Sequence, residues 1–494
     1  MKKNFLALKL IILSCISCFT LGFAAQSHAA TDLPKIGEAA GSTLSVAKEQ
    51  IIGDEIMAQI RRSEYLVKDP LITDYIQQLG HRLVAANPDA LGRRFQFFVI
   101  QEDSINAFAL PGGYIGIHTG LITASQSESE LASVLGHEVA HVTQRHLARR
   151  LEKQGQLSLP VILGMIGSVI AATQDPEAGM AGVAATQAAA QQSIINHTRE
   201  NEQEADRIGV AMLSSAGFDA RDAANFFETL QQASRYTKKP PEILLTHPLS
   251  RNRIAATRSR AEMYPEIEHQ SSMDYQLIKA RVESQSKTHD NNYFINLRDK
   301  HRNGKLNRLS EQYQYAELLK SRALHIQSTA ILEQLYAQNP NNQVLLFSLA
   351  EVQLAQDNNK KILPLLLEQL DKTPGSSKLI NITAQVYLNM DDAKSAEKLL
   401  LRYADVNKNN PSYLYTLAQA QSKAGHIPEM HETTGQYLLL LGDLRTAKKH
   451  FELALNRTSE DPYAQTRIQA RLDEVRQRLR EQLQKKSDLR LSIN

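Results

Sequence analysis

Tryptophan is absent from this chain of 494 residues, and cysteine occurs only twice, at Cys15 and Cys18. Both cysteines fall where Lys2 and Lys3 precede an apolar run from Phe5 to Phe23 and a small-residue end, AAQSHAA. That layout is a secretory signal peptide, with cleavage expected after Ala29. The mature chain then has no thiol, which excludes a disulfide and leaves packing and metal as sources of stability. A lipid anchor, with cleavage just before Cys15 or Cys18, competes with this reading, but the SHA sequence further on is the better end to a leader. Beyond the leader no run reaches the ~20 apolar residues of a membrane span. The mature protein is therefore expected to be soluble in an exported compartment. A large excess of one charge is also missing: 56 basic against 53 acidic residues leave a net charge of +3, too balanced for a nucleic-acid partner. The C-terminal stretch RIQARLDEVRQRLREQLQKK interleaves acids with its basic residues and reads as a solvated helix face.

What is present divides into two parts. From about Thr31 to Ser271 the pattern is mixed. IIGDEIMAQIRRSEY and LITDYIQQLGHRLVAA have helical spacing, FQFFVIQ reads as a strand, and NAFALPGGYIGIHTGLI reads as a hairpin turning at Pro111-Gly112-Gly113. A helix then begins at the candidate N-cap Ser127, with Glu130 completing a capping box, and is expected to run to about Leu151. Leu157 to Ala172 is apolar but short, and is expected to be a buried or domain-covering helix, with a peripheral membrane-surface contact as the rival. The Ala- and Gly-rich stretch after it reads as a flap. A second helix is expected from near Ser193 to Gly217, followed by a proline-broken loop through Pro240, Pro241 and Pro248. The polar stretch 272–308 reads as an inter-domain link with helical portions. From about Leu309 only helices follow. Pro340 and Pro374 are 34 residues apart, the tetratricopeptide period, and Pro411 follows after 37. Gly442, Ala447, Phe451, Ala454 and Leu455 occupy the small and bulky places of a further unit. Such helix pairs cannot bury their apolar faces alone, so they are expected to stack into a superhelix with a concave side for a partner, a plain helical bundle being the alternative. Tyr387, Tyr413, Tyr415 and Tyr437 sit at helical spacing and are expected to be core.

The chemistry is concentrated in LASVLGHEVAHVTQRHLARR. Residues four apart share a helix face, so the imidazoles of His137 and His141 can converge on one ion with Glu138 beside it. His-Glu-x-x-His on a helix is the zinc-peptidase pattern, in which the histidines bind metal and the glutamate activates water. A tetrahedral catalytic site needs a third protein ligand, and NEQEAD offers Glu200, Glu202 and Glu204. Steps of two residues turn successive carboxylates by roughly 200°, so Glu202 faces away from the other two, while Asp206 shares its face. One carboxylate can then bind metal while the other holds the far nitrogen of a ligand histidine. His146, five residues after His141, projects elsewhere on a continuous helix and reads as a surface residue; His118 and His197 read as structural.

GHEVAHVTQRH with NEQEADRIG resembles the M48 family of zinc metallopeptidases. The leader, the C-terminal repeats, the hairpin NAFALPGGYIGIHTGLI and the loop THPLSRNRI resemble its periplasmic branch, so the resemblance covers nearly the whole mature chain. It implies a mainly α fold, a zincin-like metalloprotease domain with a small β-sheet followed by an α-solenoid of tetratricopeptide-like helix pairs. The divisions are 1–29 leader, 30–271 protease, 272–308 link and 309–494 repeats. It implies one Zn²⁺ per chain held by His137, His141 and Glu202, with Glu138 as general base and Asp206 as orienting carboxylate. His247, in LLTHPLS, is implied as a fourth ligand that keeps the enzyme latent until its loop moves. Arg253 is a candidate oxyanion stabiliser, with an exposed or salt-bridged structural arginine as the alternative. Asn106, Ala107, Phe108 and Ala109 offer a strand edge for an unfolded substrate, or an ordinary core hairpin. The resemblance further implies misassembled outer-membrane β-barrel proteins as clients, the barrel-assembly complex as partner, a periplasmic location and a chaperone-like second activity. The rival is a non-proteolytic chaperone or scaffold with a structural zinc site, which would have no need of Glu138.

Overall fold

The computed structural model describes residues 44–153, 198–236, 241–268, 270–458 and 461–491. The leader with both cysteines, the apolar segment Leu157 to Ala172, the Ala- and Gly-rich stretch after it, Ser193 and His197 lie outside the described residues. Two helices open the described chain, α1 (Val46–Arg62) and α2 (Pro70–Ala85). Asp69 caps α2 by accepting from the amides of Leu71 and Ile72, and Pro70 fits the first turn because its missing N–H would have had no helical partner. Strands β1 (Gln96–Ile100), β2 (Ala107–Leu110) and β3 (Tyr114–His118) form one sheet in the order β1-β3-β2, with β1 parallel and β2 antiparallel to β3. The β2–β3 pair is the expected hairpin. Its turn depends on Gly113, whose φ is +79° and where a Cβ would lie 1.8 Å from the Arg94 carbonyl oxygen. The central strand β3 is buried throughout, while β2 lies at the sheet edge with its two middle residues half-buried.

After α3 (Thr119–Ala124), helix α4 (Glu128–Thr143) carries the His-Glu-x-x-His sequence. The Ser127 hydroxyl accepts from the Glu130 amide, and the Glu130 carboxylate reaches back to the amide of Gln126. Contrary to expectation, the helix does not continue to Leu151. Arg145 adopts a left-handed φ of +52°, and a new helix, α5 (His146–Lys153), starts in a different direction. The guanidinium of Arg145 holds this break by pairing with Glu49 on α1 and donating to the Leu44 carbonyl. Helix α6 (Arg199–Ser215) packs across α4 where two glycines face each other. A Cβ on Gly209 would come within 3.3 Å of the His137 amide nitrogen, so the glycine lets the helices approach closely enough for side chains to meet. Helix α7 (Asp222–Tyr236), the single turn α8 (Ile243–Thr246) and α9 (Arg251–Ala261), capped by Ser250, complete this part.

The stretch 272–308, read as a link, is folded as two helices, α10 (Met273–Ser286) and α11 (Asn291–Arg302). Helix α10 buries Tyr275, Leu277, Ile278, Ala280 and Val282, and packs on α2 and on α12 (Leu309–Ser321). Its polar look comes partly from Arg281, whose charge is buried but paired. Helix α12 pairs with α13 (His325–Gln338), α14 (Gln343–Ala355) with α15 (Asn359–Lys372), and α16 (Ser377–Asn389) with α17 (Ala393–Arg402). After the short α18 (Ala404–Asn407), α19 (Pro411–Ala424) pairs with α20 (Ile427–Leu440), and α21 (Leu444–Leu455) packs on α22 (Pro462–Leu491). The first helices of the four leading pairs start at Leu309, Gln343, Ser377 and Pro411, a strict 34-residue period. The wider spacing of the last proline arises because Pro340 and Pro374 lie three residues before their helices while Pro411 is the first residue of its own. Tyr413 is buried, but Tyr415, expected in the core, is half exposed and meets the Tyr437 ring at 5.7 Å. The repeats return to the beginning of the fold: Arg61 and Arg62 of α1 donate to the carbonyls of Leu440 and Gly442. Among the described residues no helix is long and apolar enough to cross a membrane.

Candidate metal centre

Helices α4 and α6 and the loop after α8 bring His137, His141, Glu202 and His247 together, with one donor atom of each within 4.8 Å of all the others. The Nε2 atoms of His137 and His141 are 2.9 Å apart, as expected for residues one turn apart on a shared face. Glu202 places Oε1 at 3.3 Å from His141 Nε2 and Oε2 at 3.5 Å from His137 Nε2. His247 closes the group, its Nδ1 lying 2.9 Å from Glu202 Oε1 and 3.4 Å from His137 Nε2. Its other ring nitrogen, Nε2, lies 3.4 Å from Glu138 Oε1. Glu138 is fully buried, and its carboxylate faces His247 Nε2 and the Ala109 amide without a well-formed hydrogen bond to either. Burying a carboxylate with so little compensation is costly, so its position requires a reason outside packing.

The carboxylates of NEQEAD are sorted by helix geometry. Glu202 enters the cluster, and Asp206, one turn on, places Oδ1 3.0 Å from His137 Nδ1. Arg253, on α9, grips Asp206 with two hydrogen bonds of 2.8 Å, reaches Glu202 Oε2 at 2.7 Å, and donates to the Pro248 carbonyl. Its guanidinium is thus engaged in a buried salt bridge, and its Nη1 also fixes the base of the His247 loop. Glu204 takes a third direction and meets His146 Nε2 at 3.0 Å. His146 is completely buried, contrary to its reading as a surface residue, and its Nδ1 stands 2.7 Å from His141 Nδ1. The break at Arg145 is the reason, because it turns a residue that a continuous helix would have sent elsewhere back towards His141. No glycine announces that break, so the sequence carried no signal for it.

The electrostatics follow the same arrangement. Burial opposes charging His137, yet its bonds to Asp206 and Glu202 outweigh this and raise its pKa to about 10. Burial also opposes ionisation of Glu202, but His247, His137 and His141 hold it well below the ordinary carboxylate range. In Glu138 burial prevails over the attraction of His247 and His137, and its pKa is raised. The donor set is three imidazole nitrogens and one carboxylate, buried and directed to a common point, with the Glu138 carboxylate beside it. It fits a small divalent cation of borderline softness.

The remaining candidates lie around this centre. β2 runs alongside α4, and the Ala109 amide faces Glu138. Ala107 and Asn106 are buried, and the Asn106 carbonyl accepts from the His118 amide. Phe108 is half-buried, its ring edge-on to Phe98 and His118. His118 is buried, which lowers its pKa to about 4, and it bonds the Ser104 hydroxyl. Ser104 in turn donates to Glu242 at the start of the His247 loop, and Ile243 donates from its amide to the Ile105 carbonyl. The loop is therefore tied to the hairpin at one end and to Arg253 at the other.

The model of peptidase family M48 matches residues 70–261. Over 454 residues, 92% of this chain and 93% of the relative, the sequence is 38% identical to a β-barrel assembly-enhancing protease of Yersinia pestis. A protein of the same name from Escherichia coli is 36% identical over 482 residues, 97% of each chain. A mitochondrial metalloendopeptidase of Homo sapiens is 31% identical over 187 residues, 36% of this chain and 35% of its own length.

Proposed function

The chain belongs to peptidase family M48 and is a metallopeptidase, and from that premise we propose that it is a latent, zinc-dependent endopeptidase of the periplasm acting in outer-membrane β-barrel assembly. Its clients are misassembled barrel proteins, and it also assists their correct assembly as a chaperone. The protease part ends near Ser271, and the tetratricopeptide-like pairs from Leu309 engage the client or the barrel-assembly complex. The signal peptide is cleaved after Ala29.

His137, His141 and Glu202 would hold one zinc ion, and His247 would be a further donor in the resting state. When bound, zinc would polarise the scissile carbonyl and lower the pKa of water to about 7. Glu138 takes the proton of the attacking water and delivers it to the leaving amine. Asp206 orients His137, and Arg253 keeps Asp206 and Glu202 in place rather than meeting the oxyanion. The substrate backbone lies along β2, entering after the His247 loop has moved away.

The observation that carries this reading is Glu138, a fully buried carboxylate without a well-formed hydrogen bond, 3.4 Å from His247 in the donor cluster. A site that only held the fold together would have no use for it, which weighs against a non-proteolytic scaffold. The test is metal content and casein cleavage of the purified mature chain, Glu138→Gln and His247→Ala in parallel. We expect about one zinc per chain in the unmodified protein. Glu138→Gln should keep it and lose about 10²- to 10⁴-fold in rate, and His247→Ala should cleave faster, itself included. Zinc without cleavage in any of the three would favour the scaffold, and loss of zinc in Glu138→Gln would remove that residue as the base.

A further inference from the structure

His137 and His141 each need their far ring nitrogen held if the near one is to point at a metal. For His137 the partner is Asp206, backed by Arg253. For His141 it is another histidine, and the row continues outward: His141 Nδ1 to His146 Nδ1 at 2.7 Å, His146 Nε2 to Glu204 Oε2 at 3.0 Å, and Glu204 Oε2 to Arg149 Nη2 at 2.8 Å.

The proton positions along this row follow from chemistry. With His141 Nε2 directed at the cluster, its proton sits on Nδ1, so His146 Nδ1 must accept. The proton of His146 is then on Nε2 and is donated to Glu204, while Arg149 supplies a second donor to the same carboxylate oxygen. On an unbroken helix His146 would lie roughly 140° around from His141. The left-handed residue before it is what makes the contact, and strained backbone of this kind persists only where its surroundings fix it. Here Glu49 and the Leu44 carbonyl do so through the side chain of Arg145.

We propose that His146, with Glu204 and Arg149 behind it, is a positioning residue that fixes the tautomer and ring orientation of His141 for metal binding. This rests on the reading of His141 as a ligand. The polar acceptor is what matters, so a ring of similar size without one, His146→Phe, separates positioning from packing. His146→Asn restores an acceptor at the same distance along the side chain.

The experiment measures zinc affinity by chelator competition and the visible absorption of the cobalt-substituted protein, with the thermal midpoint of the metal-free forms as a folding control. The expected result is an affinity about 10- to 100-fold weaker and an altered cobalt spectrum in His146→Phe, with most of the affinity recovered in His146→Asn. Glu204→Gln, on a partly exposed side chain, should weaken binding less and provides a second test if the histidine variants do not fold. Tight binding and an unchanged spectrum in His146→Phe, or equal weakening in the Phe and Asn variants, would overturn the proposal while leaving the metal site intact. If the histidine variants do not fold, unchanged affinity in Glu204→Gln overturns it. An unmodified chain that takes up no metal would overturn both.

Discussion

Arg281 and Glu138 are both buried charged side chains, one at the junction with the helical repeats and the other in the metal centre, and their surroundings are opposite in kind. Arg281 donates to Asp69 at 2.6 Å, to Glu317 at 2.9 Å and to Glu351 at 2.9 and 3.0 Å. Lys320 adds a second cation to Glu317 and Glu351. The charges of this hub point at one another, and they join the N-cap of α2 to helices α10, α12 and α14. In the candidate metal centre the donors instead point at a common place, and the cation beside them, Arg253, is held by Asp206 and Glu202. Buried charge can close on itself and specify how two parts fit, or stay open and specify an ion.

The largest stability effect should come from breaking the closed cluster. Arg281→Met leaves the three carboxylates of the hub with Lys320 in place of two cations, and removing one partner of such a buried group costs about 3–5 kcal/mol. Denaturant unfolding should show this loss, and adding Glu317→Gln should recover part of it because one excess negative charge is removed. A double variant no more stable than Arg281→Met would mean that the hub acts through packing rather than charge.

The open cluster should respond to metal rather than to a side chain. Removing the ion with a chelator should lower stability by about 2.7 kcal/mol when the free metal had been present at 100 times its dissociation constant. Arg281→Met should show the same metal-linked increment, since the two clusters share no residue. If the chelator leaves unfolding unchanged, the donors do not gather a cation and the contrast between the two clusters fails.

The open cluster was the more legible of the two. His137, Glu138 and His141 declare themselves by helical spacing, and two-residue steps in NEQEAD already separate Glu202 from Glu200 and Glu204. The 34-residue period and the hairpin at Gly113 were readable for similar reasons, since local periodicity and turn chemistry act within a few residues. The closed cluster was not readable. Arg281 sits in a stretch that looks polar, and its partners come from positions as far apart as Asp69 and Glu351, which no local pattern relates. His146 escaped for a backbone reason, because Arg145 takes a conformation usually left to glycine. Arg253 could be recognised as charged, but only the fold brings it to Asp206 and Glu202.

The smallest effect concerns the one ligand candidate that does not sit on a long helix. His247 reaches the cluster from a loop whose start is tied down by the hydroxyl of Ser104, between Glu242 and His118. Ser104→Ala removes that tie without touching any donor of the cluster, at a cost of about 0.5–1.5 kcal/mol. If activity requires the loop to leave, this difference falls on the resting form and raises casein cleavage by about two- to tenfold. The gain should vanish when Ser104→Ala is combined with His247→Ala, because there is then no fourth donor to release. An equal gain in both backgrounds would place the effect of Ser104 elsewhere than in the loop, and a loss of cleavage would mean that the tie serves the active form.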